Sequence, residues 1–198
     1  MIKQFWNDKF NQTDFLYGTT ANQFLMAQRP LLTQHKTLLC LGEGEGRNAI
    51  FFAQQGFQVS AVDISDIGLN KLSRWAEKEH LNIRTLCFDV NHWQLNESFD
   101  VIVTTYLHIH KQYRKSLFYQ IEQSLNKNAY FIAEFFSQDQ LNYHSGGPKD
   151  IDLLYTVEEF EQYFHHCEKN ISQEIVELNE GTGHQGKASV VRIIAKKH

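Results

Sequence analysis

The sequence predicts an α/β fold: a doubly wound, mostly parallel seven-stranded sheet with helices on both faces and a C-terminal antiparallel hairpin. Three observations predict it. Short apolar runs alternate with amphipathic segments along most of the 198 residues, the pattern of parallel strands joined by helical crossovers. The run Leu38-Leu39-Cys40-Leu41 breaks into alternating glycines at Gly42, Gly44 and Gly46 before a helical pattern begins. The last two apolar runs have no helical segment between them, so they are expected to pair antiparallel.

In order, residues 1–36 read as an N-terminal cap segment with helical character near 20–28, and residues 37–198 as the core of a single domain. Strands are expected near 37–41, 57–62, 83–87, 99–105, 129–135, 172–179 and 188–196. Helices are expected near 46–55, 66–79, 112–125 and 156–164. Each parallel crossover should be right-handed. The final pair should be joined across Glu180-Gly181-Thr182-Gly183-His184-Gln185-Gly186-Lys187.

Composition narrows the function classes. An apolar share of 42% and an aromatic share of 13% describe a folded globule rather than a disordered chain. A formal net charge of −4 gives no general affinity for nucleic acid or anionic membranes. No apolar run approaches the roughly 20 residues that span a bilayer, and the N-terminus lacks a signal-peptide core. Three cysteines, Cys40, Cys87 and Cys167, form no close pair, which points to a reducing cytoplasm.

The glycine loop carries the chemistry. A strand, a glycine turn, a helix, a second strand and then an acid, Asp63, form the half-fold that holds an adenosine-containing cofactor. A dinucleotide loop reads G-x-G-x-x-G, whereas this one reads G-x-G-x-G, with Arg47 where the third glycine would stand. Glu43 and Glu45 would repel a pyrophosphate but suit a ligand bearing an ammonium and a sulfonium. S-adenosylmethionine (SAM) is such a ligand. Asp63 would accept hydrogen bonds from both ribose hydroxyls, or it caps the helix after it; Ile64 would be an apolar wall beside the adenine. Asp89 would accept from the adenine amine while the Val90 amide donates to a ring nitrogen, or Asp89 is a loop cap. Gly42, Asp63, Asp89 and Tyr106 all fall at carboxyl ends of predicted strands, where open α/β sheets bind ligands.

Gly42-x-Gly44-x-Gly46-Arg47-Asn48, followed by Gly56-Phe57-x-Val59-x-Ala61-x-Asp63, resembles the class I SAM-dependent methyltransferases. The Gly-Arg-Asn ending is most similar to their tellurite-resistance and thiopurine methyltransferase branch. The resemblance implies a Rossmann-like core, SAM as cofactor and S-adenosylhomocysteine as product. It implies that Gly42, Gly44 and Gly46 line the methionine part, that Arg47 and Asn48 open the next helix, and that Asp63 holds the ribose. It also implies that Asp89 and Val90 meet the adenine, with Thr104, Thr105 and Tyr106 as the floor beneath the sulfonium. Many relatives carry Asp at the position of Cys40, a contact that Glu43 would take over. Most carry Pro-Gly-Gly before the fifth strand, where this chain has Leu125-Asn126-Lys127-Asn128-Ala129, whose asparagines can supply a tight turn.

On the acceptor side, Tyr106 would offer its ring to the sulfonium or is a core tyrosine. His108 and His110 share a face if the fourth strand continues, as a base and its orienting partner, or they are loop histidines. Without a third ligand they do not make a metal pair, so no metal is expected. Tyr17 would reach the SAM carboxylate or the substrate, or simply packs. His184 is a weaker candidate in the terminal hairpin. The expected activity is methyl transfer to a small-molecule sulfur, oxygen, nitrogen or chalcogen nucleophile such as tellurite or selenite. A noncatalytic SAM-binding module and a nicotinamide-dependent oxidoreductase are the alternatives. No nucleic-acid or membrane partner is expected, and no oligomeric state follows from the sequence.

Overall fold

The computed structural model describes residues 2–198. Helices α1 (Ile2–Phe10) and α2 (Gln23–Ala27) precede the sheet. Then come β1 (Thr37–Leu41), α3 (Arg47–Gln54), β2 (Gln58–Asp63), α4 (Asp66–Lys78), β3 (Ile83–Cys87), β4 (Phe99–Thr105) and α5 (Lys111–Gln123). The chain closes with β5 (Leu125–Phe136), α6 (Val157–Glu161), β6 (Cys167–Glu180) and β7 (His184–Lys197). The spatial order is β3-β2-β1-β4-β5-β7-β6. The first five strands run parallel, and β7 pairs antiparallel with both β5 and β6. This is the predicted mixed sheet with its terminal hairpin.

The β1 sequence shows why the sheet is covered on both faces. Leu38 and Cys40 pack with Phe52, Leu72 and Val103 on one side. Leu39 and Leu41 pack with Phe118, Phe131 and Ile102 on the other. A strand buried on both faces needs a continuous apolar run rather than an alternating one. Strand order reverses between β1 and β4, so a crevice opens beyond their carboxyl ends. That is where the glycine loop emerges.

Three departures from expectation have physical causes. Helix α1 lies outside the expected elements: of its residues only Phe10 is buried, while Ile2 and Phe5 stay exposed, so it adds little to the core that the apolar pattern traces. Strand β5 starts at Leu125 instead of 129, with a register shift against Phe99 and Val101, and Asn128 takes φ +62° at the irregularity. An asparagine tolerates that conformation, as the turn reading required. The hairpin strands are 14 residues each, closed by a tight turn at 181–183. Charged residues on the edge strand β6 hid its length, since an edge strand needs little apolar surface and is protected by charge.

Ser65 caps α4 by accepting from the Gly68 amide at 3.1 Å. Ser65→Ala is expected to cost about 0.5–2 kcal/mol, measured as a lowered urea midpoint at unchanged slope.

Candidate functional site

The glycine loop is shaped first by the protein's own packing. Gly44 has φ +63°, and a Cβ there would meet the Phe10 ring of α1 at 2.9 Å. Gly46 has φ +103°, and a Cβ would collide with Leu72 of α4. Gly42 and Gly44 line the cleft, but Gly46 does not. It is the N-cap of α3, packed on Leu72, which corrects the expectation that it meets the methionine part.

Two buried carboxylates organise the loop. Glu43 Oε1 accepts from the Asn48 and Ala49 amides at 2.9 and 2.8 Å, satisfying the N-terminus of α3. Asp63 accepts from the Gly44 amide at 2.8 Å and the Ser65 amide at 2.7 Å. Asp63 therefore fastens the loop to β2, and Ser65 rather than Asp63 caps α4. Burial pushes Glu43 up to about 7 and Asp63 up to about 6, outweighing the amides that favour their ionised forms. Glu45 turns away from the cleft. It accepts from the Leu16 amide at 2.8 Å and pairs with Lys71, so it anchors the N-terminal segment instead of facing a ligand.

The cleft encloses about 840 Å³ of space open to solvent, roofed by Ile2, Trp6 and Phe10 of α1. Glu43, Asp63, Ile64, Asp89, Val90 and Thr105 lie along it. Thr104 does not: its hydroxyl donates to the Leu41 carbonyl at 2.7 Å inside the sheet, because alternate residues of β4 face opposite sides. Asp89 accepts from the Asn91 amide at 2.9 Å, capping a short turn while still lining the cleft. Asn48 donates to Thr105 Oγ1 at 3.2 Å and accepts from the Asn22 amide at 2.9 Å, tying the N-terminal segment to β4. Arg47 lines the cleft too, but its guanidinium is buried against Glu180 at 2.9 Å.

On the acceptor side the predicted histidine pair separates. β4 ends at Thr105, and Tyr106 turns the chain with φ +53°. His110 stands exposed before α5, with Nδ1 at 3.0 Å from Asp152. His108 packs on Trp6 with ring centroids 5.4 Å apart, and its Nε2 is buried without a partner. The two are not a base and its orienting partner. Tyr106 donates its hydroxyl to Glu134 at 2.6 Å and stacks on Phe136, so only its ring remains for a ligand.

His184, a weaker candidate from sequence, lies where the cleft meets the compartment outside it. It is 3% exposed. Its ring lies 4.4 Å from that of Tyr17 and 4.6 Å from that of Tyr106. Nδ1 is 3.2 Å from Glu180 Oε2. The contacts of His184 and Arg47 hold Glu180 down to about 2 against its burial. An ionised Glu180 fixes the proton of His184 on Nδ1 and leaves the lone pair on Nε2. Burial lowers the pKa of His184 despite Glu180, so the ring is neutral at pH 7.

Comparison with known proteins agrees with this architecture. The chain is 25% identical over 170 residues to the probable S-adenosyl-L-methionine-dependent methyltransferase TehB of Haemophilus influenzae, covering 84% of this chain and 56% of that protein. It thus spans about half the length of the curated relatives it matches. The crystal structure of TehB from Haemophilus influenzae superposes with TM-score 0.74 at 22% identity, over 99% of this chain and 67% of that one. A SAM-dependent methyltransferase from Anabaena variabilis superposes with TM-score 0.72 at 16% identity, over 100% and 93%. At these identities the superpositions establish the fold. The family model described as tellurite resistance protein TehB matches residues 2–193, and the chain belongs to that family.

Proposed function

We propose that the protein is a SAM-dependent methyltransferase acting on a small molecule. The observation that carries this reading is the buried pair Glu43 and Asp63, converging on the crevice where strand order reverses. Among the described residues, the one guanidinium lining the cleft is already neutralised by Glu180. Such a donor set repels a pyrophosphate and attracts a cation. It fits the sulfonium and ammonium of SAM.

Glu43 and the Gly44 backbone would hold the amino-acid end, Asp63 the ribose, and Ile64, Val90 and Asp89 the adenine. When bound, SAM supplies an electrophilic methyl group, the hard part of the reaction. The chain must then orient an acceptor, exclude water and take up a proton. Trp6 and Phe10 of α1 cover the cleft. His184 Nε2, oriented through Nδ1 by Glu180, is the group placed to accept the acceptor's proton, and Arg47 steadies Glu180.

Calorimetric titration with SAM and with NAD tests the reading: saturable SAM binding and none of NAD is expected. Tight NAD binding with no SAM binding would overturn it. Asp63→Ala should weaken SAM binding by roughly 10- to 150-fold, the loss of charge-assisted hydrogen bonds worth about 1.5–3 kcal/mol. An unchanged affinity in a folded variant would leave Asp63 only its structural tie to Gly44.

A further inference from the structure

Outside the cofactor cleft lies a second, wider compartment of about 1490 Å³, sharing the wall formed by Trp6, Tyr17, His108 and His184. It is open to solvent, and Phe5, Leu16 and Tyr113 line its outer side. Rings and aliphatic groups therefore dominate the space from which an acceptor would approach His184.

Charge is nearly absent from it. Among the described residues, Lys9 is the only lysine or arginine lining this compartment. It stands at the exposed rim, with its ammonium 5.7 Å from the Phe5 ring centroid. Arg47 faces the inner cleft and is spent on Glu180. His184 is neutral and His108 is lowered to about 4, both chiefly by burial. His110 and His92 lie beside Asp152 and Asp89, and Asp89 adds a negative charge to the wall. Close to His184, an oxyanion would meet aromatic rings, the uncharged imidazoles of His184 and His108 and the Asp89 carboxylate, with Lys9 only at the exposed rim. Burying a charge without a partner is strongly unfavourable, whereas an apolar ring would meet rings.

Resting on the methyltransferase reading, we propose that the acceptor is a neutral hydrophobic thiol rather than an oxyanion such as tellurite or selenite. A thiol also matches the base. A buried imidazole of lowered basicity is a poor acceptor for an alcohol proton but adequate for a thiol, which ionises near pH 8.5 in the cysteine case. The thiol proton passes to His184 Nε2. The sulfur lone pair forms the bond to the methyl carbon as the bond from that carbon to the donor sulfur breaks. A methyl thioether, S-adenosylhomocysteine and an imidazolium result, and the imidazolium returns its proton to water.

The test is binding to protein saturated with S-adenosylhomocysteine, where no turnover occurs. Phenylmethanethiol, sodium selenite and sodium tellurite are titrated separately and followed by calorimetry and tryptophan fluorescence. The thiol should bind at least tenfold more tightly than either oxyanion. Tyr113→Arg, at a side chain 44% exposed in the outer wall, should weaken the thiol at least fivefold and leave S-adenosylhomocysteine binding unchanged. Oxyanion binding as tight as the thiol's, or no thiol binding, overturns the proposal alone. Failure to bind S-adenosylhomocysteine overturns the cofactor reading and this proposal with it.

Discussion

His184→Asn is expected to lower kcat for methyl transfer by roughly 10²- to 10⁴-fold, the range of a positioned general base, while SAM affinity changes by less than about threefold. Asparagine keeps a polar group able to reach Glu180 in the buried wall, so the variant removes the basic nitrogen more than the packing. The pH profile separates a base from a wall residue. Wild-type activity should rise with pH through an acid limb whose midpoint lies below the ordinary histidine value of 6.5, because burial lowers the pKa of His184. The base works only when neutral, so activity is present above that midpoint and lost below it. Glu180→Gln should move the limb further down, since Glu180 is the contact that raises His184. A His184→Asn enzyme that keeps more than a tenth of wild-type kcat, with an unmoved acid limb, would exclude the role.

Much of this arrangement could be read before the fold was known, for reasons particular to its residues. The β1 run, the glycine alternation and Asp63 are local signals: each depends on neighbours within a few positions, and each led to the correct element. Glu45 shows the limit of local reasoning. Its position inside the glycine turn resembled that of Glu43, yet Lys71 and the Leu16 amide turn it outward. The link between Arg47 and Glu180 spans 133 positions and closes only when β6 joins the sheet edge. The orienting partner of His184 follows from a turn of three residues at 181–183, where the longer expected connection hid the pairing of Glu180 with His184. Helix α1, with Trp6 and Phe10 over the cleft, stayed hidden because it buries only Phe10 and leaves Ile2 and Phe5 exposed, so no core face marks it in the sequence.

The acids buried along the cleft should destabilise the unliganded protein, and Glu43→Gln isolates that effect. Glu43 carries a folded-state pKa of about 7 against an ordinary 4.5, with burial as the largest cause. A carboxyl whose pKa is raised by folding contributes stability fully present below pH 4.5, lost as pH rises through about 7. At 1.36 kcal/mol per pKa unit the loss is on the order of 3 kcal/mol. Glu43→Gln keeps an oxygen that accepts from the Asn48 and Ala49 amides and removes the buried charge. Urea unfolding without ligand should therefore find the variant more stable than wild type at pH 8, by up to that amount, and nearly equal to it at pH 4.5. Asp63, raised to about 6, should add to the same trend in both proteins. With saturating SAM the order at pH 8 should reverse, because an ammonium beside Glu43 favours the ionised form that the empty fold resists. SAM affinity of the wild type should accordingly weaken as pH falls through 7, and that of the variant should respond less. A stability difference independent of pH would show that Glu43 is protonated or solvated throughout, and would remove the buried-charge argument for a cationic ligand.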